Sequence, residues 1–294
     1  MSDVVVLMNP SSGPAYRRPS GRDIEAWFAA NGLTAHVTEL DNHQKTTELA
    51  RRAVSEGLRT VVAAGGDGTV GAVAAALVNT EASLGVLPLG TLNHFARDLR
   101  LPFDVKTAIA AIARGKTAHL DAAEVNGKIF VNNSSIGIYP NIVILREQRR
   151  RLGQGKWIAF ARATLVVLRR FPFWTVRVRV DARSIQQKTP FVFVGNNEYR
   201  IQGLEIGRRE KIDSGHLFLY VAARTSRLGF IWMALSALFG HLDKTRSLEM
   251  LYTDEAWVDT RHKHIRVSAD GEVLRMRSPL HYRVLPKALK VIVA

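Results

Sequence analysis

The chain has 294 residues, 47% of them hydrophobic, and carries 41 Lys and Arg against 26 Asp and Glu, a net charge of +15. That is enough apolar chain for one large core or two ordinary ones, and an excess of positive charge that calls for an anionic partner, either nucleic acid or an acidic membrane face. It contains no cysteine, which excludes a disulfide framework and thiolate metal sites and fits a reducing cytosol.

The first strand starts at residue 4 with no basic n-region before it, so no secretory leader is expected. No uncharged run reaches the ~20 residues a spanning helix needs; residues 228–239 come nearest and read as a core or interfacial helix. From Val4 the chain alternates. Strands are expected at 4–8, 34–40, 58–64 and 84–88, and helices at 22–31, 45–56, 70–79 and 105–114. Such alternation predicts a parallel sheet with helices on its faces. Three strand ends carry glycine turns with polar groups: Asn9-Pro10-Ser11-Ser12-Gly13, Gly65-Gly66-Asp67-Gly68-Thr69, and Pro88 to Asn93 with Gly90 and Thr91 between. Glycine lets backbone N–H groups approach an anion without a Cβ in the way. Thr69 reads as a helix cap or a phosphate donor. Asp67 beside a phosphate calls for Mg²⁺ or a hydroxyl between the two. Ligands of doubly wound sheets bind at these carboxyl ends, although tight turns alone favour the same residues.

From about residue 119 strands dominate, at 118–125, 128–133, 175–180, 189–195, 216–222, 255–260 and 265–269. Asn126-Gly127 and Asp270-Gly271 are turn signals. Helices are expected at 139–170 and 228–241. Between Arg146 and Arg183 eleven basic residues face two acidic ones, with Trp157, Phe160, Phe171, Phe173 and Trp174 interleaved. That stretch reads either as a solvated helix face or as a surface that docks on anionic headgroups. No nucleic-acid motif accompanies the charge. Asn196-Asn197-Glu198-Tyr199 reads as a polar cluster at a cleft or as a turn. His262 and His264 read as surface residues.

Asn9-Pro10-x-x-Gly13, the Gly65 to Thr69 turn, Pro88-Leu89-Gly90-Thr91-x-Asn93-x-Phe95-Ala96-Arg97 and Asp270-Gly271-Glu272 occur in one order along the chain. The set resembles the diacylglycerol kinase catalytic-domain family of bacterial lipid kinases, relatives of sphingosine and ceramide kinases, over essentially the whole length. The glycine turn alone is shared with NAD kinases and phosphofructokinases; the Pro88 to Arg97 stretch is the more specific. The resemblance implies an α/β nucleotide-binding domain (1–120) of the NAD kinase/phosphofructokinase type. A β-rich, sandwich-like lipid-substrate domain (121–280) follows it, and residues 281–294 return to the first.

It also implies ATP and Mg²⁺ as cofactors. The nucleotide cradle would comprise Asn9, Gly13, Thr38, Gly65, Gly66, Asp67, Gly68, Thr69, Val70, Thr91 and Asn93. Asp67 would orient the metal, Asp121 would join a carboxylate network around it, and Asp213 would help hold a structural Mg²⁺. Glu272 would accept the proton of the lipid hydroxyl, with Asp270 as its partner. On an extended segment these last two carboxylates share a face and can couple; a hairpin turn is the alternative. Three positions depart from the family pattern. His94 replaces an Asp, Gly71-Ala72 replaces Asn-Glu, and Ser214 replaces the second Asp of an Asp-Asp-Gly turn.

The expected function is ATP-dependent phosphorylation of a diacylglycerol-like lipid by a cytoplasmic protein held peripherally at the inner membrane face. Its partners are lipid and anionic membrane, not nucleic acid, and a homodimer is compatible. A soluble kinase of the NAD kinase type and a non-catalytic nucleotide- or lipid-binding relative are the alternatives.

Overall fold

The computed structural model describes residues 3–13, 19–40, 43–137, 174–202, 205–209, 211–222 and 248–294. The helices expected at 139–170 and 228–241, and most of the basic stretch between Arg146 and Arg183, lie outside these residues.

The first half is the expected α/β layer. Strands β1 (Val4–Met8), β2 (Ala35–Glu39), β3 (Thr60–Gly65) and β4 (Ser83–Pro88) pair in parallel in the order β2-β1-β3-β4. The apolar runs of β1, β3 and β4 are buried on both faces, as a sheet covered by helices requires, while edge strand β2 is partly exposed. Val4, Val6, Met8, Val62 and Ala64 face one way, against Ile24 and Phe28 of α1 (Gly21–Ala30) and Ile109 and Ile112 of α5 (Val105–Arg114). Leu7, Val61, Ala63, Leu84 and Val86 face the other way, against α2 (His43–Ser55) and α3 (Asp67–Leu77). Ser20 and Asp23 form a capping box on α1, and Asp104 caps α5.

The second half is a sandwich. One sheet runs β14 (Leu248–Thr253), β13 (Leu217–Ala222), β10 (Phe191–Asn196), β7 (Asn133–Gly137), β16 (His264–Ala269) and β17 (Glu272–Arg277). The other is a continuation of the parallel sheet through β18 (Leu280–Ile292), β15 (Glu255–Thr260), β8 (Trp174–Val180) and β9 (Arg183–Thr189). Between them Val192, Val194, Leu219, Val267, Val178, Val258 and Tyr282 form a second core. Asn126-Gly127 makes the tight turn between β5 (Thr117–Val125) and β6 (Lys128–Phe130), with both residues at positive φ.

Strand β18, which takes in most of the segment expected to return to the first domain, belongs to both halves. Its first part pairs with β15 and with residues 122–125 of β5. After a register shift between Leu285 and Leu289 it pairs with residues 117–120 of β5 and, in parallel, with β4 at Val291↔Leu84.

The halves are also joined by a buried ion pair. Arg209, on β12 (Glu205–Arg209), which pairs with β11 (Tyr199–Gln202), meets Asp98 of the short helix α4 (His94–Asp98) at 2.7 Å, with 1% and 5% of the two side chains exposed. Its other nitrogens donate to the carbonyls of Val131 and Asn196 and to Asn132 Oδ1. Desolvating a charge is tolerable only when its donors are used in this way. Asp98→Ala, which leaves the guanidinium unpaired, should lower unfolding stability by about 3–5 kcal/mol. The double variant Asp98→Leu/Arg209→Met should recover most of that loss in a denaturant titration. An equal loss in both variants would assign the effect to packing instead.

Candidate active site

Three loops meet at the carboxyl ends of β1, β3 and β4, and glycine makes the meeting possible. A Cβ on Gly90 would stand 2.5 Å from Gly66 Cα, and one on Gly13, where φ is +68°, would stand 2.2 Å from the Leu89 carbonyl oxygen. Both contacts are with backbone, which cannot swing aside. Asn9 reaches Thr69 Oγ1 at 3.4 Å and accepts the Ser11 N–H, closing the first loop onto the third strand's helix. Asn93, in the left-handed region at φ +49°, accepts the Gly90 N–H and donates to the Pro88 and Gly90 carbonyls.

Helix α3 begins earlier than expected. Its N-cap is Gly66, no side chain caps it, and Asp67 is its first residue. Thr69 is therefore not the cap; it is buried within the first turn. The N–H groups of the first turn lack the side-chain acceptor that usually satisfies them, which leaves them suited to an anion. Asp67 directs Oδ1 to the Phe95 N–H, 3.0 Å away, at the start of α4.

Several members of the expected cradle are already committed. Val70 is buried in the core and its N–H donates to the Gly66 carbonyl. The Asn93 amide belongs to its own turn. Thr38 lies one residue inside the end of edge strand β2, opposite Leu7. Gly65 is buried, its carbonyl accepting the Leu89 N–H; Gly66, Gly68, the Asp67 carboxylate and the exposed Thr91 remain as the rim of the site.

The carboxylate pair needs a correction. Asp270 and Gly271 have φ of +46° and +84° and form a two-residue turn closed by Ala269↔Glu272, so they are not part of one extended segment. The two carboxylates diverge. Glu272 points outward, its side chain 53% exposed, and meets Lys128 at 2.7 Å. Asp270 turns inward and accepts the N–H groups of Val131, Asn132 and Asn133 at 2.7, 2.8 and 3.1 Å. Although the residue is partly exposed at its turn, its carboxylate is enclosed. Burial pushes it up from 3.8 to about 6, against the lowering effect of the three N–H donors and of Arg209. Helix α3 passes so close that a Cβ on Gly71 would be 3.1 Å from Asp270 Oδ2. Gly71 lies one helical turn beyond Asp67, so the same helix face carries Asp67 toward the glycine loops and meets the Asp270 turn.

The expected metal ligands Asp67, Asp121 and Asp213 are not gathered; among the described residues no three His, Asp or Glu side chains form a group that could hold a metal. Asp121 is 2% exposed, and its two oxygens accept the N–H groups of Gly215 and Lys287. Asp213 is exposed. Ser214 instead bonds Asn197 Oδ1 through both its N–H and its hydroxyl, so this loop is closed by protein groups and does not fit a structural cation. A nucleotide-borne Mg²⁺ fits better. Such an ion takes one or two carboxylates plus phosphate oxygens, and the second oxygen of Asp67 is available for that role. Asn196 and Asn197 are fully buried wiring; Asn196 donates to the carbonyls of Asp121 and Val131. Sequence reading missed Arg209, Asp98 and Asn132; Arg209 reaches the other two across more than seventy residues of chain.

Residues 3–125 match the diacylglycerol kinase catalytic domain profile, and residues 142–293 match that of the YegS C-terminal NAD kinase beta sandwich-like domain. The chain belongs to the YegS-like, diacylglycerol kinase-like family. Among curated relatives of this family, proteins named "Probable lipid kinase YegS-like" from Yersinia pestis (strain Pestoides F) and Yersinia pseudotuberculosis (serotype O:1b) are 36% identical over 138 residues. That match covers 46% of this chain and 45% of theirs, so the chain spans less than half the length of the curated relatives it matches. Solved structures share the fold, two of them as follows. A diacylglycerol kinase from Bacillus anthracis aligns with a TM-score of 0.71 at 19% identity, covering 99% of this chain and 96% of its own. Yeast NADH kinase complexed with NADH aligns at 0.58 and 12% identity, covering 99% and 83%.

The raised Asp270 gives a pH dependence whose sign is fixed. Between about pH 4 and 6 the folded protein holds a proton that the unfolded chain has released. Stability contributed by this group therefore falls as pH rises through that window, by about 1.4 kcal/mol for each pH unit separating the two values. Urea titrations from pH 4 to 7 should show this decline in the wild type, and it should be absent from Asp270→Asn. An unchanged slope in the variant would refute it.

Proposed function

We propose that this chain uses ATP to phosphorylate the hydroxyl of a diacylglycerol-like lipid, acting peripherally at the cytosolic membrane face. The observation that carries the reading is the α3 face. Its uncapped N-terminus, among three glycine loops, can take the nucleotide phosphates, and one turn further on it meets the Asp270–Glu272 turn. The helix thus links the phosphate-binding loops to Asp270, at the base of the turn that carries Glu272. The N–H groups of Asp67, Gly68 and Thr69, with Thr91, bind and orient the triphosphate. Glu272 takes the proton of the lipid hydroxyl as its oxygen forms a bond to the γ-phosphorus and the bond to the ADP oxygen breaks. Asp270 fixes the turn that carries Glu272, through main-chain N–H groups. Mg²⁺ bound with the nucleotide would neutralise phosphate charge, and Asp67 would be the side chain to hold it.

Glu272→Gln keeps the shape of the turn but cannot accept a proton. Its kcat should fall by roughly 10²–10⁴ with little change in the KM for ATP. Asp67→Ala should lose at least ~100-fold. Both are measured with radiolabelled ATP on a panel containing diacylglycerol, a sphingoid base, phosphatidylglycerol and NAD. Phosphorylation of NAD alone would favour the soluble-kinase reading suggested by the NADH kinase fold. ATP turnover on none of them would favour a non-catalytic relative.

Among the described residues no helix is long and apolar enough to cross a membrane. With a net charge of +15, association should be electrostatic, at about 1 kcal/mol per Lys or Arg near an anionic surface. Liposome sedimentation should show binding to anionic vesicles that weakens steeply with salt. Equal binding to neutral vesicles would count against it.

A further inference from the structure

Among the described residues four large apolar side chains are exposed: Leu92 (37%), Phe103 (50%), Met250 (53%) and Tyr252 (67%). An exposed apolar residue by itself means little, so the charge around each one decides. Met250 and Tyr252 lie on edge strand β14, flanked by the acids Glu249 and Asp254, which disfavour an anionic partner. Leu92 and Phe103 bracket a different stretch. His94, Arg97 and Arg100 lie between them, and all three are exposed. His94 and Arg97 stand one turn apart on α4, and the Arg97 guanidinium lies 5.8 Å from the centre of the Phe103 ring. Among the described residues neither arginine is in an ion pair. The nearby acids are committed. Asp98 turns inward to Arg209, and Asp104 caps α5, accepting the N–H and the hydroxyl of Thr107.

Apolar side chains set among such cations are the composition of a surface that lies on anionic headgroups. The ring enters the acyl boundary while the cations stay at the phosphates. The stretch is also continuous with the candidate active site. Asn93 closes the third glycine loop, and the Asp67 carboxylate holds the Phe95 N–H at the start of α4. A bilayer seated here lies against the rim of the phosphate-binding loops. The hairpin β16–β17 is the rival surface, since His264, Arg266, Arg275 and Arg277 share one of its faces. Among the described residues no large apolar side chain is exposed beside them, and the strands carry them away from the Asp270 turn.

We infer that Leu92 and Phe103, with Arg97 and Arg100, form the surface by which the protein seats on an anionic membrane, with the phosphate-binding loops beside the lipid. This deepens the peripheral-membrane reading above and rests on it. Leu92 and Phe103 supply an apolar part of the binding that salt does not weaken, and the arginines an electrostatic part that salt screens.

Sedimentation with vesicles of phosphatidylglycerol and phosphatidylcholine would compare the full chain with Phe103→Ser, with Arg100→Gln, and with a control pair, Arg275→Gln/Arg277→Gln, that removes twice the charge from the hairpin. Arg100→Gln should weaken binding about fivefold at low salt, the worth of one basic residue near an anionic surface, and the difference should vanish at high salt. Phe103→Ser should weaken it about tenfold, the worth of burying part of an aromatic ring, at low and high salt alike. The control pair should cost less than Arg100→Gln alone. The melting temperature, and turnover of a short-chain diacylglycerol that is monomeric in solution, should not change in Phe103→Ser or Arg100→Gln. An equal loss in the control pair, or no loss in the two variants, overturns the inference and keeps the membrane reading. A wild type that binds no anionic vesicle overturns both. A dimer in lipid-free solution that Phe103→Ser dissociates assigns the surface to a second copy and overturns the inference. So does a loss of vesicle binding that comes with a lower melting temperature, which would make the stretch a support for the loop. If no lipid is turned over, the kinase reading falls and the vesicle comparison still decides this one.

Discussion

Carboxylate oxygens turned onto main-chain N–H groups tie this molecule together. Asp67 holds the start of α4, Asp121 holds Gly215 and Lys287, and Asp270 holds three consecutive amides at 131–133. Asp98 accepts both the N–H and the guanidinium of Arg209. Each bond joins segments remote in sequence, and each satisfies donors that irregular backbone would otherwise leave unpaired. Because the acceptor is charged, these bonds are stronger than ordinary amide pairs. They fix the position of loops that no sheet or helix would fix.

That arrangement divides labour within the candidate site. The aspartates set loop geometry, and the groups left for a ligand are main-chain N–H donors and one oxygen of Asp67, while Glu272 stands at the surface in its ion pair with Lys128. Pre-set loops of this kind suit phosphoryl transfer, in which the protein does little covalent chemistry and mostly positions charge. The bare Gly71 matters here as well. It lets α3 approach the Asp270 carboxylate without an intervening side chain, so the two halves of the cleft are in contact through a helix face.

Local rules carried much of the fold. The parallel strands, their helices and the Asn126-Gly127 hairpin follow from apolar runs and turn residues. Strands β9 and β17 escaped because Arg183–Thr189 is largely polar, Glu272–Arg277 is half charged, and both lie at sheet edges, where one face and one rim meet water. At the site, the glycine loops were legible because close backbone approach leaves a compositional trace. The division between Asp270 and Glu272 was not, because it depends on whether two residues form a turn or continue a strand, and Asp-Gly permits both. Arg209 left no local trace at all: its partners Asp98, Val131 and Asn132 are brought to it by the second domain's topology.

The strand shared by both halves has a consequence for how the protein is made. In the finished sheet the outer edge of β4 is covered by β18. On the ribosome, β18 emerges about 200 residues after β4, as the pairing of residues 84 and 291 requires. At ~5–20 residues per second the interval is roughly 10–40 s. Throughout it the nascent nucleotide-binding sheet exposes a bare apolar edge, the kind that recruits other strands. Synthesis of the first half therefore yields an unfinished sheet, and its closure waits for the sandwich to deliver the missing strand.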